Sequence, residues 1–268
     1  FGLIFGNPGG GKSWSLVAIG GHAVRLGYNV LHYTLELGEE YVGKRYDAFF
    51  TKIPVNKVDS HRDKIEELIP QLPGQLIIKE YPTGRASVST IESHIAKSTS
   101  MGVKPDLVII DYVDLLSSRK TNRERKDEID DIYTSTKGLA RQLDIPIWSV
   151  SQVNRAGAQD KVIQGDKAAG SYDKIMITDF CMSLSRKKED KVNNTGRFHL
   201  MKNRYGMDGI TFGIQADTST GHFIVKDEYV EGEEDENFTP SSKSNKFDTD
   251  VDTFDKQLLR KKFFELNT

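Results

Sequence analysis

The chain has 268 residues, of which 37% are hydrophobic and 28% charged, and its formal net charge is -2 at pH 7. This composition is typical of globular proteins, and no apolar run approaches the roughly 20 residues of a membrane span, so the sequence excludes an integral membrane protein. A single cysteine, Cys181, excludes an internal disulfide and a cysteine-based zinc site, and we expect a reducing, cytoplasmic environment.

Short apolar strands alternate with longer amphipathic helices from Phe1 to about Val150. The predicted strands are Phe1–Phe5, Asn29–Leu35, Gln75–Tyr81, Asp106–Asp111 and Pro146–Ser151. The predicted helices are Lys12–Leu26, Glu39–Phe50, Arg62–Leu72, Val88–Ser100 and Arg125–Leu143. This alternation is typical of βαβ units. We therefore predict an α/β fold with a mainly parallel, twisted sheet and flanking helices.

After Ser151 the pattern changes to strands without intervening helices, which predicts an antiparallel C-terminal extension of the sheet. These strands are Phe180–Ser185, Gly196–Lys202, Ile210–Ala216 and His222–Lys226. Residues 231–268 carry ten acidic and six basic side chains and few apolar ones, which predicts a disordered acidic tail. Its last stretch, Phe254 to Leu266, is open to two interpretations, a short helix or a frayed end. We expect one folded domain over residues 1–230. Because the chain starts within an apolar run and without Met, it resembles a fragment of a longer protein.

The segment from Gly6 to Ser13 reads GNPGGGKS, a full match to the phosphate-binding loop of P-loop NTPases. It lies between a predicted strand and a predicted helix, where backbone N–H groups and the helix N-terminus can surround phosphate oxygens. Lys12 would reach the β- and γ-phosphates, and Ser13 would bind Mg²⁺. The predicted nucleotide-binding residues are Gly6, Asn7, Pro8, Gly9, Gly10, Gly11, Lys12, Ser13 and Trp14. The predicted cofactors are ATP, or another nucleoside triphosphate, and Mg²⁺.

Two acidic residues follow predicted strands. Asp111 ends the apolar run LVIID, which places it at the carboxyl edge of a parallel sheet, where ligands bind in such folds. We expect Asp111 to be the second metal-binding residue. Glu36 follows the strand directly after the phosphate-binding helix, and its carboxylate could activate a water for attack. The residue pattern alone leaves open a surface or helix-capping role for Glu36.

Several motifs in order resemble the DnaB-like, superfamily 4 replicative helicases, including those of T-even-like bacteriophages. The motifs are GNPGGGKS, HYTLE, KEYPTG, LVIIDYVDLL, SVSQVNR and LMKNRYG, and the likeness extends from Phe1 to about Lys226. The resemblance implies a RecA-like motor domain. It makes Glu36 the catalytic carboxylate alongside Lys12, and Gln152 the sensor of the γ-phosphate. It also makes Lys202 and Arg204 cations that enter the site of a neighbouring subunit, which implies a homo-hexamer.

Two polar loops are candidate contacts to single-stranded DNA, since the resemblance places the corresponding loops in the channel of a ring. The first, residues 117–126, is the densest basic stretch, and the second runs from 154 to 170. The candidate DNA-binding residues are Arg119, Lys120, Arg123, Arg155, Lys161 and Lys167. Basic groups suit a binding mode that is indifferent to base sequence. A solvated helix start is the alternative interpretation of the first loop.

The function expected is therefore NTP-driven translocation, 5′ to 3′, on single-stranded DNA with unwinding of the duplex. Two alternatives stay open: a RecA-type recombinase filament, and a nucleotide-gated switch or loader ATPase. A primase, a helicase loader, a single-strand binding protein and a polymerase are candidate partners, and the acidic tail could recruit them or serve solubility. If the chain is phage-encoded, we expect it in the cytoplasm of the bacterial host.

Overall fold

The computed structural model describes residues 1–118, 124–153, 162–163 and 172–228. Its strands are β1 (Gly2–Gly6), β2 (Val30–Thr34), β3 (Leu76–Glu80), β4 (Leu107–Asp111), β5 (Ile147–Gln152), β6 (Phe180–Ser185), β7 (Thr195–Asn203), β8 (Thr211–Asp217) and β9 (His222–Glu228). Its helices are α1 (Lys12–Arg25), α2 (Glu39–Thr51), α3 (Arg62–Leu68), α4 (Val88–Ser100), α5 (Arg125–Leu143), α6 (Tyr172–Ile177) and α7 (Lys188–Asn193). Short 3-10 helices cover Val55–His61, Ile69–Gln71 and Val113–Leu115.

The strands of the described residues form one sheet in the order β3-β2-β4-β5-β1-β6-β7-β8-β9. Neighbours from β3 to β6 pair in parallel, and β6 through β9 pair antiparallel. The α/β fold with a mainly parallel sheet and an antiparallel C-terminal extension is therefore confirmed. Because β1 and β4 lie inside the parallel part, the residues that follow them emerge at one common edge of the sheet.

Both faces of the sheet are covered, which explains why β1, β2 and β4 are buried at every position. In β1, Leu3 and Phe5 belong to one apolar cluster and Ile4 to the other. The first cluster is completed by α4 and α5 through Ile91, Ile95, Ile132, Tyr133 and Leu139. The second is completed by α1 and α2 through Leu16, Val17, Val42, Tyr46 and Phe49.

Two adjacent glycines in α1 permit a close approach of α2. A Cβ atom at Gly20 would collide with the hydroxyl of Tyr46, and one at Gly21 would collide with the ring of Phe49. The absence of side chains at these positions therefore allows Tyr46 and Phe49 to pack directly on the α1 backbone. This packing fixes α2 beside the second half of α1.

Three details of the sequence prediction are wrong. The strand β6 runs parallel to β1 rather than beginning the antiparallel extension, because the long connection from β5 returns the chain to the same starting edge. The region after Ser151 also contains two helices, α6 and α7. The predicted helix Arg62–Leu72 ends as an α-helix at Leu68, since Pro70 has no N–H to continue the hydrogen-bond ladder.

The predicted tail, residues 231–268, lies outside the described residues, so the domain division stays a prediction. In the part of the chain that the structure describes, no helix has both the length and the apolar character needed to cross a membrane.

Candidate nucleotide-binding site

The phosphate-binding loop connects β1 to α1 and depends on glycine at two positions. Gly9 and Gly11 have φ angles of 65° and 98°, in the left-handed region that side chains disfavour. The Gly10 amide donates a hydrogen bond to the Asn7 carbonyl over 3.0 Å, which closes the turn. Gly11 is the N-cap of α1, and no side chain caps that helix end. The free N-terminus of α1 is therefore directed at the loop, as anion binding requires.

Lys12 bends back over this loop. Its Nζ donates hydrogen bonds of 2.9 Å each to the carbonyls of Gly6 and Asn7. Burial lowers the pKa of the Lys12 ammonium, while the carboxylates of Asp111 and Glu36 act in the opposite direction. An incompletely solvated cation that donates to two carbonyl groups is well prepared to exchange them for phosphate oxygens.

Sheet register brings the other predicted residues to the same edge. Gln152, the last residue of β5, pairs with Gly6, and Asp111 pairs with Thr34 at the end of β2. Glu36 lies two residues beyond β2. These positions enclose a cavity of about 350 Å³ lined by Pro8, Gly9, Gly11, Lys12, Ser13, Trp14, Glu36, Leu37, Arg45, Asp111, Tyr112, Val150, Gln152 and Thr218. The cavity lining thus includes the predicted phosphate-binding, metal-binding and catalytic residues up to position 152, except Gly6, Asn7 and Gly10 of the loop segment.

Asp111 has the surroundings expected of a metal-binding carboxylate. Its residue is only 2% exposed, and its Oδ1 has no hydrogen-bond partner among the described residues. Burial raises the pKa of the Asp111 carboxyl, and a hydrogen bond from the Ser13 hydroxyl followed by the charge of Arg45 acts the other way. A carboxylate and a hydroxyl beside a phosphate loop fit Mg²⁺, which binds proteins through one or two such oxygens and completes its shell with phosphate and water.

No larger metal cluster competes with this site: within the described ranges, no group of three or more His, Cys, Asp or Glu side chains could hold an ion.

Three residues near the loop were missed by the sequence analysis. Arg45 of α2 and Thr218, in the turn between β8 and β9, line the cavity. Arg186, directly after β6, has an Nη1 atom 3.5 Å from the position that a Cβ on Gly11 would occupy. Its Nη2 is buried without a hydrogen-bond partner in the described part of the chain. No motif marks these positions, and Arg186 could not be found because the parallel placement of β6 beside β1 was not predicted.

Lys202 and Arg204 lie at the amino ends of the parallel strands, opposite the end that carries the phosphate-binding loop. Asn203 pairs with Phe180, and Phe180 pairs with Gly2 at the amino end of β1. The pair is therefore separated from the phosphate loop by the length of β1, roughly 13 Å at about 3.3 Å per residue. The structure does not bring these two cations into the cavity of their own chain.

Both cations have partners where they stand. Lys202 Nζ donates to the carbonyls of Ile175 and Met176 at 2.8 and 2.7 Å. Arg204 Nε lies 3.4 Å from the Asp179 carboxylate, and its side chain is 51% exposed. Burial lowers the pKa of the Lys202 ammonium, as do the charges of Arg204 and Lys137. Arg204 is thus the more accessible of the two.

The candidate DNA-binding residues Arg119, Lys120, Arg123, Arg155, Lys161 and Lys167 lie outside the described residues. Their roles stay predictions.

Comparison with known proteins identifies relatives of this chain. The family model of the DnaB-like helicase C terminal domain matches residues 1–237. The DnaB-like replicative helicase of Enterobacteria phage T4 is 24% identical over 212 residues, which are 73% of this chain and 44% of that protein. The replicative DNA helicase DnaB of Mycoplasma genitalium is 25% identical over 241 residues, which are 81% of this chain and 51% of that protein.

Solved structures share the fold. A DnaB-like replicative helicase, solved to describe its interactions with primase, has a TM-score of 0.73 at 23% identity, covering 84% of this chain and 58% of its own. A solved ATPase domain has the same TM-score and identity and covers 85% of this chain and 84% of its own. The RecA-like fold is thereby confirmed.

The chain spans about half the length of the two relatives. Since the family model matches most of it, the chain belongs to the DnaB-like helicase family and contains the family's C-terminal, RecA-like domain.

Proposed function

We propose that the chain is the nucleotide-hydrolysing motor of a replicative DNA helicase and binds ATP, or another nucleoside triphosphate, together with Mg²⁺. The observation that carries this proposal is the cavity at the carboxyl edge of the sheet, where Lys12, Asp111 and Gln152 approach one another from separate segments. Membership of the DnaB-like helicases, which are NTP-hydrolysing enzymes, supports it.

Each residue of the cavity has a distinct task in this proposal. The loop amides and Lys12 bind the β- and γ-phosphates. The Ser13 hydroxyl and the Asp111 carboxylate hold Mg²⁺, which neutralises phosphate charge when bound. The exposed Glu36 carboxylate accepts a proton from the attacking water. The Gln152 amide hydrogen-bonds to the terminal phosphate, since an amide can both donate and accept.

Lys202 and Arg204 act in this proposal on the site of a second copy of the chain. Their position at the amino edge of the sheet supports this role, because a group so far from its own cavity can be directed at a neighbour's. An arginine supplied from a neighbouring subunit can accelerate phosphoryl transfer by about 10³ to 10⁵. Completion of each site by the next copy requires an oligomer, and the family resemblance makes that oligomer a homo-hexameric ring.

The ring would move 5′ to 3′ along single-stranded DNA and separate the duplex. The two basic loops, residues 117–126 and 154–170, would hold the DNA by its phosphates, so binding should weaken as salt rises. One of the similar solved proteins was studied with primase. We propose a primase as the first partner to test here, followed by a loader, a single-strand binding protein and a polymerase, in the cytoplasm of a bacterial host.

Hydrolysis of ATP with and without single-stranded DNA tests the proposal. We expect DNA to stimulate hydrolysis, and Lys12→Ala to abolish it. Lys97→Ala, which removes the same charge from the surface of α4, is the matched control and should behave as wild type. Electron microscopy with nucleotide and DNA should show closed rings. Open filaments would favour a recombinase, and hydrolysis indifferent to DNA would favour a switch or loader ATPase.

A further inference from the structure

A buried ion pair beside the end of β5 has been given none of the tasks above. Lys174 Nζ, in α6, lies 2.6 Å from Asp114 Oδ1, and the two side chains are only 13% and 14% exposed. The Ser151 hydroxyl donates to the other carboxylate oxygen of Asp114 at 2.7 Å and accepts from Lys174 at 2.9 Å. These three side chains therefore form a closed triangle of polar contacts, which we call the α6 anchor.

Each member of the α6 anchor belongs to a different segment of the chain. Ser151 directly precedes Gln152, which lines the nucleotide cavity. Asp114 lies in the 3-10 helix that follows β4, three residues after Asp111. Lys174 lies in α6, which is separated from β5 by the long connection. The anchor thus ties α6 to the carboxyl ends of two strands that form the chain's own nucleotide site.

The same helix holds Lys202 through its backbone. Lys202 Nζ donates to the carbonyls of the two residues directly after Lys174, Ile175 and Met176, at 2.8 and 2.7 Å. Two positions further along the chain, the backbone amide of Arg204 donates to the Asp179 carbonyl at 2.9 Å, just beyond the end of α6. The places of both cations therefore depend on where α6 lies.

The position of α6 has to be set by contacts with the rest of the fold. The helix has six residues, and isolated helices shorter than about 12 residues are marginal in water. Lys174 is buried over the ring of Tyr133 in α5, with its Nζ 5.2 Å from the ring centroid. By contrast, the ion pair of Asp173 with Lys126 is 43% and 68% exposed, and exposed pairs contribute little. The anchor is the buried polar contact that joins α6 to β5.

We propose that the α6 anchor positions Lys202 and Arg204 for the nucleotide site of the neighbouring copy. By fixing α6 relative to the end of β5, it holds both cations at a defined place relative to Gln152 of their own chain. Lys174 and Asp114 are therefore positioning residues, which touch no nucleotide themselves. This inference rests on the role in trans proposed above and deepens it, because it names the contacts through which one site affects the next.

Hydrolysis by assembled rings of the double variant Lys174→Met/Asp114→Asn tests the proposal. Removal of both charges leaves no unpaired charge inside the fold, so the double variant should fold where either single variant could fail. Its hydrolysis of ATP should be roughly 10- to 100-fold slower, the loss expected when a reacting group is displaced by about 1 Å. The Kd of a non-hydrolysable ATP analogue should change less than about threefold, because the variant keeps its own phosphate-binding loop.

Asp173→Asn is the matched control. It breaks the exposed ion pair of the residue next to Lys174, on the same helix, and leaves the anchor intact. Hydrolysis and analogue binding should both stay as in the unmutated chain. Unchanged hydrolysis by the double variant, or an equal loss in Asp173→Asn, would overturn the role of the anchor.

Mixed rings separate a positioning role in trans from damage to the variant's own site. Mixed with Lys12→Ala, the double variant should partly recover turnover, because it supplies an intact loop and its neighbour supplies correctly placed cations. Mixed with Arg204→Ala, it should recover none, because neither chain supplies a correctly placed arginine. Recovery with Arg204→Ala, or no recovery with Lys12→Ala in rings that assemble, would overturn the proposal, since the defect would then lie in the variant's own site.

The mixture of Arg204→Ala with Lys12→Ala is the reference for these measurements. If those two variants fail to restore each other in assembled rings, the role of Arg204 in trans is wrong, and the positioning role that rests on it falls with it. If they restore each other and the double variant behaves otherwise than expected, only the role of the α6 anchor is wrong.

Discussion

Gln152, the last residue of β5, stands in register with Gly6, the residue at which β1 enters the phosphate-binding loop. The amide of Gln152 therefore reaches the cavity from the strand next to the loop. We expect Gln152→Ala to lower kcat at least roughly tenfold while KM changes less than about threefold, because the amide contacts the terminal phosphate mainly as it is cleaved. Steady-state kinetics of nucleotide hydrolysis would measure this loss in kcat. A change in KM alone would argue against the sensor role of Gln152.

Variants of Lys12 and Glu36 should separate nucleotide binding from nucleotide hydrolysis. Lys12→Ala removes the loop cation and should abolish nucleotide binding or turnover. Glu36→Gln should bind nucleotide normally but hydrolyse it at least about 10²-fold more slowly, since the amide cannot accept the proton of the attacking water. Equilibrium binding and single-turnover hydrolysis, measured on both variants, distinguish the two effects. A binding defect in Glu36→Gln would remove its catalytic assignment.

Arg204 should be required by a neighbour rather than by its own chain. Arg204→Ala alone should be inactive, yet turnover should partly return when it is mixed with Lys12→Ala, because some interfaces then pair an intact loop with an intact arginine. The rate of nucleotide hydrolysis, measured across a series of mixing ratios of the two variants, checks this expected recovery. If mixed rings assemble and show no recovery, the assignment in trans is wrong.

Gly20 should be needed for α2 to pack against α1. Gly20→Ala should lower the free energy of unfolding by about 1–3 kcal/mol, the usual cost of overpacking. Gly138→Ala is the control: it lies in α5, where an added Cβ would meet nothing within 4 Å, so that the better helix propensity of alanine should stabilise by up to about 1 kcal/mol. Urea denaturation of both variants gives the comparison. Equal effects would mean that α1 and α2 do not pack as described.

Asp190 should make the fold sensitive to acid. Its carboxylate accepts hydrogen bonds of 3.0 Å from both terminal nitrogens of Arg197. Burial alone would raise its pKa, but the Lys187 amide and Arg197 outweigh burial and hold the pKa of Asp190 below the usual 3.8. Since the folded pKa is depressed, the stabilisation is complete well above pH 3.8 and is lost as the pH falls through the folded value.

Comparison of Asp190→Ala with the unmutated chain across pH tests this contribution. At neutral pH the variant should lose about 3–5 kcal/mol, the cost of breaking a buried ion pair by removing one of its partners. The difference between the two proteins should shrink below pH 3.8. A difference that does not depend on pH would contradict the ionic origin of the stabilisation.

The sequence predicted the parts of the site that are encoded locally. The loop and Asp111 each lie at the carboxyl end of an apolar strand, and these strand ends share one edge of a parallel sheet, so their meeting could be inferred before any coordinates. Family resemblance added Gln152, and it added Glu36, which residue chemistry alone left open; that resemblance to the DnaB-like helicases is confirmed.

What the sequence could not predict depends on tertiary packing. The side of β1 on which β6 lies is decided by a long connection, not by the pattern of the strand itself. Arg45 resembles any charged residue of an amphipathic helix, and only the packing of Tyr46 on Gly20 reveals that it is directed inward. The contact of Lys202 with the carbonyls at the end of α6 was equally invisible, since that helix was not predicted.

The opposite placement of the phosphate loop and Arg204 on the sheet gives each protomer a front and a back that are chemically unlike. Copies joined through such surfaces associate head to tail, and a head-to-tail contact has no twofold axis. Each nucleotide site in a ring would then be completed by the neighbour on one side only. The order of nucleotide hydrolysis around such a ring would then have a direction that is set by the structure of a single chain.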